Sequence, residues 1–284
     1  MKTSRKIVAV ICTVVLTASL FMLAGCGTNT NSNNNSSSNN NSSSSNNNNT
    51  SSGDNGTAAN DKVYNIATDT TFAPFEFQDA SGNYVGIDME ILAAVAADQG
   101  FKYKVNALGF DAALQAVQAG QADGVIAGMS ITEKRKEVFD FSAPYFDSGV
   151  CMGISASNTA IKGYADLAGK KVAVKTGTEG AAFAESIKAQ YGFEIVTFKD
   201  SAMMYEDVVA GNSQACFEDY PVLGYAISQK VGLKMVTDME RGSSYGFAVA
   251  KGKNQDLLKM FDTGLANIKA SGKYQQILDK YIKK

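Results

Sequence analysis

Arg135 stands in the charged run Glu133-Lys-Arg-Lys-Glu137, just after Thr132. Threonine is a good N-cap, so Thr132 would put Arg135 in the first turn of a helix, beside backbone N–H groups that lack intrahelical acceptors. A planar guanidinium can fork onto both oxygens of a carboxylate, which an ammonium cannot do. The ordinary fate of such a run is a solvated helix face. Asp69 follows Val63-Tyr-Asn-Ile-Ala-Thr68, Lys175 closes Lys171-Val-Ala-Val-Lys175, and Asp219 follows Ala215-Cys-Phe-Glu218. All three segments read as strands, and α/β sheets collect ligands beyond the carboxyl ends of their strands. A carboxylate accepts hydrogen bonds and an ammonium donates them. By itself Asp219 is also a plausible turn aspartate before Tyr220-Pro221.

Other chemistries drop out early. The chain has no histidine, which excludes histidine-ligated metals and Ser-His-Asp or Cys-His catalysis. No cysteine or carboxylate cluster has metal-ligand spacing. The segment Lys175-Thr-Gly-Thr-Glu-Gly180 lacks P-loop spacing, and no G-x-G-x-x-G follows a strand. No cofactor is expected. With no tryptophan and a formal charge of −2, nucleic acid is a poor candidate partner.

The elements that must position these residues alternate. Helical spacing marks Asp88–Gly100, Asp111–Ala119, the stretch from Thr178 to Tyr191, Asp256–Ile268 and Tyr274–Ile282. Between them, strand-like runs cover Phe101–Asn106, Gly124–Ala127, Glu194–Phe198 and Tyr245–Ala250. The alternation predicts α/β architecture with largely parallel sheets.

From Val63 onward the chain resembles the polar amino-acid substrate-binding proteins of ABC importers, most nearly the glutamine-binding kind. The segments that carry the resemblance are Ala67-Thr-Asp-Thr-Thr-Phe-Ala-Pro-Phe-Glu-Phe77, Gly86-Ile-Asp-Met-Glu90, Ala127-Gly-Met-Ser-Ile-Thr-Glu-Lys-Arg135, Asp140-Phe-Ser-Ala-Pro-Tyr145, Val174-Lys-Thr-Gly-Thr178 and Glu218-Asp-Tyr-Pro221. It implies a two-lobed periplasmic-binding-protein fold of type II, each lobe a mostly parallel sheet flanked by helices, joined by a two-strand hinge. Residues 61–148 and 245–284 would form lobe 1 and residues 149–244 lobe 2. The chain would cross near 147–152 and return near 241–247.

The resemblance also assigns roles. Arg135 would take the ligand α-carboxylate, with Gly128 and Ser130 adding polar contacts and Thr178 completing the cradle from the second lobe. Asp219 would accept from the α-ammonium, Phe72 and Phe110 would flank the aliphatic part, and Asp69 and Lys175 would hold the side-chain end. Where the nearest glutamine binders carry histidine, this chain has Glu218, an implied ligand contact near the amine or the side-chain end that raises the standing of histidine or basic amino acids as ligands. The implied protein is a monomeric receptor, not an enzyme, that hands its amino acid to ABC permease and ATPase subunits. Relatives on this fold include cyclohexadienyl dehydratases, in which a cleft acid protonates a leaving hydroxyl, and Glu218 is the candidate acid for that alternative.

The N-terminal segment carries an address. Residues 1–25 read as a signal peptide: a basic start with Lys2, Arg5 and Lys6, an apolar run from Ile7 to Leu23, then Ala24-Gly25 before Cys26. The order resembles the bacterial lipoprotein box and implies acylation of Cys26 and a lipid anchor on the extracytoplasmic face of the cell membrane. Residues 26–60, rich in Asn and Ser, bury nothing and read as a disordered tether averaging about 30 Å end to end. Of the other cysteines, Cys12 leaves with the leader, while Cys151 and Cys216 sit in apolar strand-like contexts that favour free thiols.

Overall fold

The computed structural model describes residues 62–282, so the expected leader, Cys26 and the tether lie outside the described residues. In chain order the elements are β1 (Val63–Thr68), the short pair β2 (Phe77–Gln78) and β3 (Tyr84–Val85), α1 (Ile87–Gln99), β4 (Lys102–Ala107), α2 (Phe110–Gln118), β5 (Gly124–Val125), α3 (Glu133–Lys136) and β6 (Phe139–Phe141). They continue with β7 (Phe146–Ser155), a 3-10 turn at Tyr164–Leu167, β8 (Lys171–Lys175), α4 (Glu179–Tyr191), β9 (Glu194–Phe198), α5 (Ser201–Val209), β10 (Ala215–Asp219) and α6 (Tyr220–Ser228). The last are β11 (Leu233–Met235), β12 (Glu240–Tyr245), β13 (Ala248–Ala250), α7 (Gln255–Ala270) and α8 (Lys273–Tyr281).

Two sheets organise them. The first has the order β4-β1-β5-β13-β6, the second β11-β7-β10-β8-β9 with β12 also paired to β7. Each holds a parallel trio, β4-β1-β5 in one and β10-β8-β9 in the other, completed by antiparallel strands. The fold is thus the two-lobed α/β type that the sequence implied. Strands β7 and β12 run antiparallel, Tyr245 opposite Phe146 and Ser243 opposite Ser148, and carry the chain between the sheets.

Both sheets are covered on two faces, as the period-2 alternation of strands requires. On one face of the first sheet, Tyr64 and Ile66 of β1 join Ile91, Leu92 and Val95 of α1 and Phe261 and Leu265 of α7. On the other, Ala67 and Val125 meet Phe110, Leu114 and Val117 of α2. In the second sheet Val172, Val174 and Phe217 pack on Phe183 and Ala184 of α4, whereas Ala173 and Cys216 pack on Met204, Val208 and Leu223 of α5 and α6. Each fully buried large apolar side chain contributes about 1.5–3 kcal/mol.

Two differences from the sequence reading have clear causes. The strand predicted over Tyr245–Ala250 is split, because Gly246 and Phe247 leave β12 to donate to Met129 O and Ser142 Oγ before β13 begins. The strand β7, buried over almost its whole length, lacks the polar alternation by which a half-buried strand is recognised. Cys151 and Cys216 are free and buried, as their contexts suggested.

Candidate functional site

The C-terminal ends of β1, β8 and β10 converge with the segment after β5 on a cavity of about 10 Å³. Phe72, Phe110, Gly128, Ser130, Arg135, Lys175, Thr178, Glu179 and Asp219 line it. Eight of these nine are residues singled out from sequence; Glu179 is the addition. Asp69 and Glu218, also singled out, are buried behind the wall.

Arg135 reaches the cavity because Thr132 caps α3 as expected, its Oγ1 accepting from the Arg135 N–H at 3.2 Å. The guanidinium lies over the Phe110 ring, its carbon 5.3 Å from the centroid. Its Nη1 donates to Ser130 O at 2.8 Å and its Nη2 to Gly177 O, across the cleft, at 3.1 Å. Glu179 Oε1 stands 3.8 Å from the same Nη2. Burial lowers the Arg135 pKa, and the charges of Glu179 and Asp219 oppose that shift.

Asp219 ends β10. Its Oδ2 accepts from Tyr245 Oη at 2.5 Å, and Tyr245 Oη accepts in turn from Ser148 Oγ at 2.9 Å, both hydroxyls belonging to the strands that join the sheets. Burial, then the neighbouring Glu218 charge, pushes the Asp219 carboxyl up to about 7, while Tyr245, Arg135 and Lys175 pull the other way. A neighbouring cation would therefore hold it ionised.

Glu218 and Asp219 are adjacent on one strand and so face opposite ways. Asp219 turns to the cavity. Glu218 turns, like Cys216, towards α5, where Oε2 accepts from Ser201 Oγ at 2.8 Å and Tyr205 Oη at 2.9 Å, and Oε1 accepts from the Asp219 N–H at 3.0 Å. Asp69 is also set back and meets the cavity through Lys175. The Lys175 Nζ–Asp69 Oδ2 pair is 2.5 Å long and almost fully buried, and Nζ lies 4.5 Å from the Phe72 ring centroid. Nζ also donates to Ser201 Oγ at 3.4 Å. Burial would depress the Lys175 pKa, but Asp69, Glu218 and Glu76 outweigh it and the ammonium is held above its ordinary value.

Gly128 has φ +51°, and a Cβ there would stand 2.2 Å from Phe72 Cε1, so only glycine lets the ring cover this wall. Its N–H donates to Asp88 Oδ2 at 2.7 Å, as does Tyr145 Oη at 2.8 Å. Glu76 adjoins Asp88 and is fully buried; burial, then the Asp88 and Asp69 charges, raises its pKa well above the usual carboxylate value. Thr178 caps α4, accepting from the Ala181 N–H at 3.2 Å and donating to Lys175 O at 2.7 Å.

Glu179, Tyr245, Ser201 and the Glu76–Asp88 pair escaped the sequence reading. One signal was available: Asp200 is an N-cap, Oδ1 accepting from the Met203 N–H at 2.8 Å, and it announces the helix that brings Ser201 and Tyr205 to Glu218. The others depend on contacts between segments far apart in sequence. Among the described residues, no group of three or more Cys, Asp and Glu side chains could hold a metal ion.

Known proteins are similar to this chain in sequence and fold. The chain is 31% identical over 221 residues to the arginine-binding periplasmic protein of Mannheimia haemolytica, covering 76% of this chain and 90% of that protein. The second substrate-binding domain of Lactococcus lactis GlnP, solved in an open conformation, is 43% identical, with 78% of this chain and 96% of that one covered and a TM-score of 0.56. An ancestral arginine-binding protein, solved bound to glutamine and again bound to arginine, is 34% identical, with 78% and 98% covered and a TM-score of 0.73. The model of the bacterial extracellular solute-binding proteins, family 3, matches residues 64–284. The chain is therefore a member of that family.

Proposed function

We propose that the protein is an extracytoplasmic receptor for a polar L-amino acid, with glutamine as the best fit, that closes over its ligand and delivers it to an ABC permease. One observation carries the reading: a largely buried guanidinium and a buried carboxylate, Arg135 and Asp219, share the wall of one cavity with Lys175, which Asp69 pairs from behind that wall. The first two match the zwitterion common to all α-amino acids. The second two cancel each other's charge, offering one acceptor and one donor to a neutral amide. A cationic side chain would meet Lys175, and an anionic one Asp69, at a cost of several kcal/mol in a desolvated site.

A cavity of about 10 Å³ has room for roughly one water. Admission of an amino acid therefore requires the lobes, residues 61–148 with 245–284 and residues 149–244, to part about β7 and β12. The similarity scores agree with such movement. The 43%-identical domain, recorded open, superposes less well than the 34%-identical protein bound to glutamine.

A basic amino acid is the second reading, favoured by the names of relatives and by the carboxylates Asp69 and Glu218 around Lys175. Glu218 has its two oxygens engaged away from the cavity, which weakens the dehydratase reading that relied on it. Among the described residues no helix is long and apolar enough to cross a membrane; in the proposed reading the anchor is an acylated Cys26 followed by the tether of residues 26–60, and the receptor acts as a monomer.

Calorimetric titration of the full chain in detergent against the twenty amino acids, with prephenate as an added substrate, tests the reading. Binding of glutamine ahead of arginine, lysine and histidine is expected, with no release of phenylpyruvate. Preference for arginine would move the assignment to the basic class, and binding of none would sink it.

A further inference from the structure

Resting on the amino-acid reading, the geometry points to Glu179 as an affinity-setting residue: a built-in competitor that occupies the ligand's carboxylate site on Arg135. Three observations carry it. Glu179 lines the same cavity as Arg135 and is on the opposite side of the cleft from it, on α4 of the second sheet. Its Oε1 is 3.8 Å from Nη2, the nitrogen that also reaches across to Gly177 O, while Nη1 is taken by Ser130 O. The guanidinium is nearly buried, so the charges facing it are few: Glu179 and Asp219 are the carboxylates whose fields oppose its desolvation.

A ligand α-carboxylate has the same charge and the same donor requirement as the Glu179 side chain. Both cannot approach one buried fork without repulsion, so the ligand must displace Glu179 or bind against its field. The Arg135–Glu179 and Arg135–Gly177 contacts draw the two sides of the cleft together. They lower the fraction of molecules open to ligand, and the apparent affinity falls by that fraction. Glu179 follows the Thr178 cap as the first residue of α4, where a carboxylate is favoured by the helix dipole. It is thus held in place when displaced from Arg135.

The test is Glu179→Gln in the full chain in detergent, titrated with glutamine and with arginine, alongside a fluorophore pair reporting the distance between the two sheets. Glutamine keeps the shape of the side chain and removes the charge. The expected result is affinity at least about fivefold tighter for the amino acid that wild type binds, within the usual range of coupling between sites. The closed fraction before ligand addition should fall at the same time. Glu179→Asp, which keeps the carboxylate, should stay within about twofold of wild type on the same scale. A merely structural cap would alter the thermal midpoint and leave affinity unchanged. Unchanged or weaker binding by Glu179→Gln, with wild type binding normally, overturns the inference alone. Absence of amino-acid binding by wild type overturns it together with the function it rests on.

Discussion

The two ends of the cleft treat charge differently. At one end Arg135 donates to backbone carbonyls with Glu179 Oε1 3.8 Å from one of its nitrogens, and Asp219 accepts from a tyrosine, so neither is locked into a close ion pair. At the other, Asp69 and Lys175 form a buried ion pair and neutralise each other. A charged group's hydrogen bonds to neutral partners exchange at a modest net free-energy difference, whereas separating a buried ion pair leaves two desolvated charges. The first end can therefore receive a ligand's own charges, and the second resists them. On the proposed function, recognition of the class and choice of the member fall to different chemistry in one cavity.

The most severe way to break that contrast is Arg135→Ala. It should reduce affinity for every amino acid by on the order of a thousandfold or more, since a buried Asp219 and the ligand carboxylate would both lose their cation. Calorimetry showing near-normal affinity would refute the assignment of Arg135.

At the other end, Lys175→Ala removes the cation that repels basic side chains and leaves Asp69 to accept from one. The ratio of arginine to glutamine affinity should rise by about a hundredfold, the scale of a relieved like-charge contact. If the lobes part as proposed and let water reach Asp69, the cost of its lost partner should appear as a smaller closed fraction more than as a lower thermal midpoint. An unchanged selectivity ratio would show that the ion pair does not choose the ligand.

The smallest effect comes from pH. Asp219 is held at about 7, and a ligand ammonium favours its ionised form. Binding is then fullest above pH 7 and weakens as pH falls through that value, by up to about tenfold per unit for one proton. Proton release on binding near neutrality, read from calorimetry in buffers of different ionisation enthalpy, is the matching signal. Asp219→Asn should bind more weakly and flatten the profile. A profile equally steep in that variant would transfer the titration to another group, Asp88 being the next candidate, since burial raises it to about 6.

Local patterns in the sequence account for much of this site. The strands β1, β8 and β9 are legible as short runs rich in β-branched residues, and the Thr132 and Thr178 caps as the types that satisfy a helix start. The facing of Glu218 was also available, because adjacent strand residues cannot both point into one cleft. The resemblance instead implies a ligand contact for Glu218, and the alternation of strand residues argues against it.

Residue type and local spacing set the charges, their placement at strand ends and the caps that aim them, since these depend on neighbours within about four residues. Tertiary structure alone decided which charges meet. Lys175 finds Asp69 over 106 positions, and Arg135 reaches Gly177 over 42. It also buried Glu76 against Asp88 and turned Glu179 towards Arg135. Such pairings follow from how two separately built sheets face each other. Desolvation in the cleft then sets their strength, and neither quantity has a local signature in the chain.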